Sequence, residues 1–445
     1  MKIAIIGNGI AGSTAALTIR KNSDHEVVMI SNETEYPYSR TSLMYIYMGH
    51  LKYEHTKLYE DAFWDKHKIR RVFDSVVYID SIKRKLQLTG NQAIEFDQLI
   101  IATGSQSNKF GWPGQDLKGV QGLYSIQDLK LMDATTKNVK HAVIVGGGLI
   151  GIEMAEMFHS RKIPVTYLVR EDDFWNHVLP DEESDMINKE IRDHHIDLRL
   201  KTELKEIIGD ESGNVRAVVT SKGERIECQF VGLTVGVSPN IEIAKELNID
   251  KNKGILVNEY LQTSDKNIYA IGDCAELQSP KPGRKAIEPM WYTAKLMGEV
   301  AGKNICGNPT EYNPGLWYNS AKFFDIEYQV YGDVPNKTMP HIETVFCRHA
   351  DRNHSIRINY HRIDKNVTGF SLLGIRYRHA VCEKWIKEKA HIEDVLQNLS
   401  LANFDPEFFT EYEEMLIKEY NAMNKRSIKL SSTRNLNKVL KFLRT

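Results

Sequence analysis

Two glycine runs in this chain of 445 residues have the type and spacing that suit pyrophosphate binding: Gly7-Asn8-Gly9-Ile10-Ala11-Gly12 and Gly146-Gly147-Gly148-Leu149-Ile150-Gly151. In such a run the first glycine permits a tight turn, the second lets backbone approach phosphate oxygens, and the third lets a helix pack closely on a strand. A helix that starts inside the run turns its unsatisfied N–H groups and positive dipole end toward the anion. Two runs predict two bound dinucleotides, held by Gly7, Gly9, Ile10, Ala11 and Gly12 and by Gly146, Gly148, Leu149, Ile150 and Gly151. The five cysteines, Cys228, Cys274, Cys306, Cys347 and Cys382, include no CxxC pair and begin only past the middle of the chain. That excludes the usual redox disulfide and a thiolate metal framework.

Each run needs a strand before it and a helix after it. Lys2–Ile6 is a short apolar segment of the kind buried on both faces of a parallel sheet, and Ser13–Arg20 reads as a helix. The next strand, Glu26–Ile30, ends at Ser31-Asn32-Glu33, about 20 residues past the glycines, where a ribose-binding acid is expected. Glu33 is that acid, with Asn32 the competing position. Lys140–Val145 and Ile152–Arg161 repeat the strand and helix around the second run. The strand Val165–Val169 then places Val169 where an acid selective for NADH often sits, followed by Arg170 and Glu171. Arg170 could neutralise a 2′-phosphate and Glu171 could accept from a 2′-hydroxyl, so the second ligand is read as NAD(P)H. The fold expected is α/β with two Rossmann-like dinucleotide-binding domains.

Length predicts two or three domains. A net charge of -1 leaves no electrostatic footprint for nucleic acid. No apolar stretch approaches a membrane span, and Met1 runs directly into Ile3–Ile6 without room for a secretory leader. A cytoplasmic protein with reduced thiols is expected.

Four more segments carry a family resemblance: Pro37-Tyr38-Ser39-Arg40, Ile100-Ile101-Ala102-Thr103-Gly104, Val235-Gly236-Val237-Ser238-Pro239-Asn240 and Ile268-Tyr269-Ala270-Ile271-Gly272-Asp273. With the two glycine runs they resemble the FAD-dependent pyridine nucleotide oxidoreductases, the superfamily of ferredoxin and rubredoxin reductases, apoptosis-inducing factor, NADH oxidases and coenzyme A disulfide reductases. The resemblance covers most of the chain. It implies FAD on the first run and NAD(P)H on the second, with Arg40, Ala102, Thr103, Gly104, Gly236 and Gly272 among the cofactor-binding residues. Asp273 is implied to accept hydrogen bonds from the flavin ribityl chain, which suits an acid at a buried strand end that needs a partner. Glu288-Pro289-Met290-Trp291 is expected to open a helix running to Ala301, with Pro289 at its first position. Pro289 and Met290 would then lie where the positive helix end faces the flavin. Trp291 and Tyr292 read either as ring neighbours or as core.

The same resemblance makes the departures informative. Disulfide reductases carry a cysteine pair, and coenzyme A disulfide reductases a single cysteine, on the helix that here reads Arg40-Thr41-Ser42-Leu43-Met44-Tyr45-Ile46-Tyr47-Met48. Ser42 cannot replace a thiol, because a hydroxyl neither forms disulfides nor cycles through sulfenic acid. Cys274 reads as inert core. Tyr45 stands where ferredoxin reductases have a flavin-facing lysine, whose glutamate partner corresponds to Glu153. Without that cation Glu153 needs another partner or a raised pKa. Ser42, Tyr45 and Glu153 are thus the candidate residues at the reacting end.

Lys322-Phe323-Phe324-Asp325-Ile326 and Val330-Tyr331-Gly332 resemble the entry to a dimerisation domain and imply a homodimer. Alternation in Ser355–Tyr360 and across Val367–Leu373 predicts an antiparallel sheet, with helices from Tyr377 onward. Histidines 341, 349, 354, 361 and 379 show no ligand spacing, so no metal is expected. The domain layout implied is a discontinuous FAD domain over 1–110 and 246–309, an NAD(P)H domain inserted over 111–245, an α+β interface domain over 310–423 and a basic tail over 424–445. The tail carries Lys425, Arg426, Lys429, Arg434, Lys438, Lys441 and Arg444 without an acid, and Leu436, Val439, Leu440 and Leu443 form one apolar helical stripe. It reads as a helix that docks an acidic carrier or a membrane surface, or as one packed on its own domain. The expected activity is hydride transfer from NAD(P)H to FAD and electron delivery to an external acceptor, first an iron-sulfur protein or rubredoxin. Oxygen or a quinone is the second choice of acceptor, and a redox-sensing binding protein like apoptosis-inducing factor is the alternative class.

Overall fold

The computed structural model describes residues 1–349, 353–404, 412–431 and 436–444. The chain is α/β and divides into two compact units, one of residues 1–140, 207–216 and 228–314, the other of residues 141–206, 217–227 and 315–445.

The first unit is built on a five-stranded parallel sheet in the order Ile268–Ala270, Gln98–Ile101, Lys2–Ile6, Glu26–Ser31 and Ile69–Phe73. Ile3, Ala4, Ile5, Leu99, Ile100 and Ile101 are fully buried, as strands covered on both faces require. The helix Ile10–Asn22 begins inside the first glycine run and ends with Arg20 and Lys21 in its last turn, where cations suit the dipole. It packs against Trp291–Ile305. A Cβ at Gly298 would stand 2.4 Å from the Ala11 carbonyl oxygen, and one at Gly302 would stand 2.7 Å from Thr18 Cβ. Those two glycines let the helices approach closely.

Four expected helices have different bounds: Ile10–Asn22 and Leu149–Ser160 each begin three residues before the expected Ser13 and Ile152, and two others are rearranged. Arg40–Met48 is a 3-10 turn over Arg40–Ser42 followed by a short helix, Leu43–Tyr47. The later helix starts at Trp291, with Met290 as an extended N-cap, and runs to Ile305. Pro289 therefore precedes the helix instead of opening it. The Arg284 guanidinium holds Glu288 in an ion pair, and the Thr293 hydroxyl bonds back to the Glu288 and Met290 carbonyls, which keeps this entry out of helical geometry. The helix Ile126–Thr135 is capped by Ser125, whose hydroxyl accepts from the Asp128 N–H while the Asp128 carboxylate returns the bond.

In the second unit Ala142–Val145, Val165–Leu168 and Asp197–Arg199 run parallel, and Leu149–Ser160 follows the second glycine run. A five-stranded antiparallel sheet follows in the order Tyr318–Phe323, Ile326–Gly332, Val367–Leu373, Ser355–His361 and Ile342–Arg348. Arg357 on this sheet grips Glu183 with two bonds of 2.7 and 2.8 Å and also reaches Glu182. Lys322 pairs with Glu156 at 2.6 Å.

The helix Leu436–Arg444 meets this unit through one residue of the predicted stripe, Val439, and through Phe442, which lies outside the stripe. Val439 is buried and Phe442 packs on Trp385 at 5.9 Å, beneath the Lys384 ammonium, whereas Leu440 and Leu443 are exposed. Arg434 lies outside the described residues. Among those described, no helix is long and apolar enough to cross a membrane.

Candidate functional site

The first glycine run divides into two structural glycines and one open one. Gly7 has φ +107, and a Cβ there would fall 2.1 Å from the Ala102 carbonyl oxygen. A Cβ at Gly12 would fall 2.1 Å from the Gly7 carbonyl oxygen. Gly9, the N-cap of the helix, has nothing within 4 Å. The strand-to-helix crossing thus demands Gly7 and Gly12, while Gly9 leaves the space that a pyrophosphate needs. Gly148 repeats that opening as N-cap of the second helix, and Gly146 has φ +115. The buried Tyr167 hydroxyl donates to the Gly146 carbonyl at 2.9 Å and supports the second turn from below.

Glu33 is placed at the first run, where most of its hydrogen bonds gather on one oxygen. Its Oε1 accepts from the Tyr38 hydroxyl at 2.6 Å, Arg40 Nη1 at 2.8 Å and the Ile126 N–H at 3.0 Å, and its Oε2 accepts from Arg40 Nη2. Burial pushes this carboxyl up, but Arg40 and the other donors outweigh burial and hold it below the ordinary value. Asn32 beside it is exposed.

At the strand end, Thr103 donates to the Asn240 carbonyl at 2.6 Å, and Gly104 takes φ +69 with a Cβ position only 2.7 Å from the Tyr124 hydroxyl. Gly272, at φ +71, lies against Ala11, where a Cβ would stand 3.1 Å from the Ala11 methyl. This brings Asp273 next to the first run. Asp273 Oδ2 accepts from Ser105 Oγ at 3.0 Å and the Tyr124 hydroxyl at 3.1 Å, and its Oδ1 has no partner from another residue among the described residues. Burial raises the Asp273 carboxyl, and the Ser105 and Tyr124 donors pull it part of the way back. Gly236, at φ +87, accepts from the Asn108 N–H on the neighbouring segment.

The cysteine-equivalent positions hold no thiol. Ser42 is half-buried at the start of Leu43–Tyr47 without a side-chain capping bond, and Tyr45 is half-buried with its ring 6.3 Å from that of His50. Cys228, Cys274, Cys347 and Cys382 are buried and Cys306 is half-buried. Burial pushes the Cys274 thiol up, which disfavours the reactive thiolate.

In the second unit Glu153 is only partly covered, yet the surrounding protein penalises its charge. Desolvation first, and the neighbouring Glu156 carboxylate second, push Glu153 up to about 7. No cation among the described residues pairs with it. Glu171 points toward the second run, with Oε2 3.5 Å from a Cβ built on Gly147, and its Oε1 binds Arg170 Nε at 2.7 Å. Arg170 itself is 74% exposed against 22% for Glu171. Among the described residues one trio has ligand atoms within 4.8 Å of one another, Glu190, His194 and Asp325; it includes none of the five histidines considered from the sequence.

Pro289 and Met290 lead into the helix from Trp291, and Trp291 and Tyr292 pack edge to face at 5.5 Å. Sequence reasoning overlooked Tyr124, Ser105 and Tyr167. The Ser125-to-Asp128 capping box was the available signal for Tyr124, since it fixes a helix start one residue later.

The family model for pyridine nucleotide-disulphide oxidoreductases matches residues 1–298. The chain belongs to that family. As a pyridine nucleotide-disulphide oxidoreductase family member it is 33% identical over 345 residues to an NADH oxidase of Methanocaldococcus jannaschii, covering 74% of this chain and 75% of that one. It is 30% identical over 336 residues to an NADH-rubredoxin oxidoreductase of Clostridium acetobutylicum, covering 75% and 82%. A solved NAD-dependent persulfide reductase from A. fulgidus shares the fold with a TM-score of 0.81 at 24% identity, over 96% of this chain and 84% of that one. The pyridine nucleotide-disulphide oxidoreductase assignment makes the chain an FAD-dependent NAD(P)H oxidoreductase. The residues fit such cofactors: Gly9 and Gly148 leave room for pyrophosphate, and Asp273 keeps one carboxylate oxygen uncommitted.

Proposed function

We propose that this flavoprotein reductase takes electrons from NADH and delivers them to a small external carrier, an iron-sulfur protein or rubredoxin. When bound, the flavin accepts a hydride from the reduced nicotinamide and returns the electrons to a second substrate. The observation that carries the reading is the segment Arg40–Tyr47, where Ser42 and Tyr45 stand without a thiol, so no cysteine there relays electrons within the chain. The name of the Clostridium relative supports a protein acceptor.

The chain's own residues have defined tasks in this reading. Gly9 and Gly148 open the pyrophosphate approaches, with the helix N-termini behind them. Asp273 Oδ1 would hold the ribityl chain, and Glu33, whose Oε2 takes only the Arg40 bond, or the exposed Asn32 beside it would meet the adenosine ribose. Glu171 accepts from the nicotinamide nucleotide's 2′-hydroxyl, and its negative charge repels a 2′-phosphate; Arg170 is turned to solvent and held by Glu171. Glu153, near 7, holds a proton in the neutral range and supplies or accepts it there.

Stopped-flow reoxidation tests the acceptor. Enzyme reduced anaerobically with NADH is mixed with ferredoxin, rubredoxin, a quinone or oxygen. Reoxidation faster with one of the protein carriers is expected. Oxygen or quinone reacting as fast as every protein carrier would remove the proposal.

A further inference from the structure

We infer that Tyr124 is a positioning residue for the flavin site, holding Asp273 by one carboxylate oxygen so that the other stays aimed at the cofactor. The Tyr124 hydroxyl accepts from the Ser105 N–H at 2.8 Å and donates to Asp273 Oδ2 at 3.1 Å. Its proton goes to Asp273 Oδ2 and one of its lone pairs to the Ser105 N–H, so its direction is set. Ser105 Oγ adds a second donor to the same Oδ2 at 3.0 Å, and Oδ1 receives neither.

The place for this hydroxyl is built by the backbone. Gly104 has φ +69, and a Cβ there would lie 2.7 Å from Tyr124 Oη, so a side chain at 104 would displace the hydroxyl. The Tyr124 ring lies 4.3 Å beneath the Arg40 guanidinium, whose Nη1 also bonds the Tyr124 carbonyl. Arg40 is fixed by Glu33, and Glu33 also takes the Ile126 N–H. Arg40 and Tyr124 together therefore link the carboxylate beside the first glycine run to the carboxylate that follows the strand Ile268–Ala270. Burial and the facing Asp273 carboxylate keep its hydroxyl protonated, pushing it well above the ordinary tyrosine value.

The inference rests on Asp273 being a flavin ligand, and a double-mutant cycle separates the two claims. FAD dissociation constants are measured by fluorescence on deflavinated wild type, Tyr124→Phe, Asp273→Asn and the double variant, with far-ultraviolet circular dichroism confirming that each is folded. Phenylalanine keeps the ring under Arg40 and removes only the hydroxyl. Y124F should weaken FAD about tenfold, the cost of one lost bond to a charged acceptor, and should add little to the loss in D273N. Ser105→Ala should follow the same pattern. Multiplicative losses in the double variant, or a Y124F affinity equal to wild type, overturn the positioning role. A D273N affinity equal to wild type overturns the flavin-ligand assignment, and the proposal with it.

Discussion

Replacing Glu153 by Gln should make the protein more stable at alkaline pH and leave it nearly unchanged in acid. The carboxyl rises from an ordinary 4.5 to about 7 through desolvation and then through Glu156. At about 1.4 kcal/mol per decade, that difference corresponds to about 3 kcal/mol. Between the two values the folded chain keeps a proton that the unfolded chain has released. Stability therefore falls as pH rises through this window, and the cost is complete above the folded value. Glutamine mimics the protonated acid and carries no such cost. Urea unfolding of both proteins from about pH 4.5 to about pH 8, taken as a difference so that other groups cancel, should show a gap that starts near zero and grows toward about 3 kcal/mol. A gap that is flat with pH, or that favours wild type at pH 8, would refute the desolvated, unpaired carboxyl. Neutralising Glu156 should narrow the gap, since its charge is the second cause.

Gly7→Ala places a Cβ 2.1 Å from a backbone oxygen at φ +107 and should cost more than about 3 kcal/mol or abolish soluble expression, read by thermal unfolding; Gly9→Ala meets nothing within 4 Å and should fold normally while losing FAD affinity at least about tenfold. Glu171→Ala should lower kcat/KM for NADH about tenfold and raise it for NADPH, whereas Arg170→Ala should change the ratio by less than about threefold; steady-state kinetics with both nucleotides would reject the specificity role if the Arg170 variant moved the ratio more. Arg357→Ala strands the fully buried Glu183 carboxylate and should destabilise the second unit by about 3–5 kcal/mol. That deficit should shrink as pH falls and Glu183 takes up a proton, as urea unfolding at two pH values would show.

Local pattern was enough to find the parallel strands and the helices behind both glycine runs, although both helices start three residues earlier than expected. Lys2–Ile6 and Val367–Leu373 have the bounds expected, because short apolar-rich segments of this length read as strands. Helix starts were read less well. Pro289 suits a first helical position by propensity, yet the Arg284–Glu288 ion pair and the Thr293 hydroxyl organise the entry differently, and both are contacts that a propensity does not see. The tail shows the same limit: of the i, i+3, i+4, i+7 row, Val439 is buried while Leu440 and Leu443 are exposed, and Phe442, outside the row, packs on Trp385.

Glycine spacing, strand periodicity and the serine at position 42 are properties of neighbours along the chain, so the fold class followed from the residues in order, as did the expectation of two dinucleotide sites without a redox disulfide. Which polar groups stay free is decided by contacts between residues far apart in sequence. Glu33 looked unpartnered and accepts from Tyr38, Arg40 and Ile126. Asp273 looked buried and in need of a partner, and Tyr124 and Ser105 satisfy one of its oxygens while leaving the other open. Arg170 and Glu171 were equivalent on paper until folding turned one to solvent and the other to the glycine turn. Burial and hydrogen bonding depend on three-dimensional neighbours, and those exist only once the tertiary structure has formed.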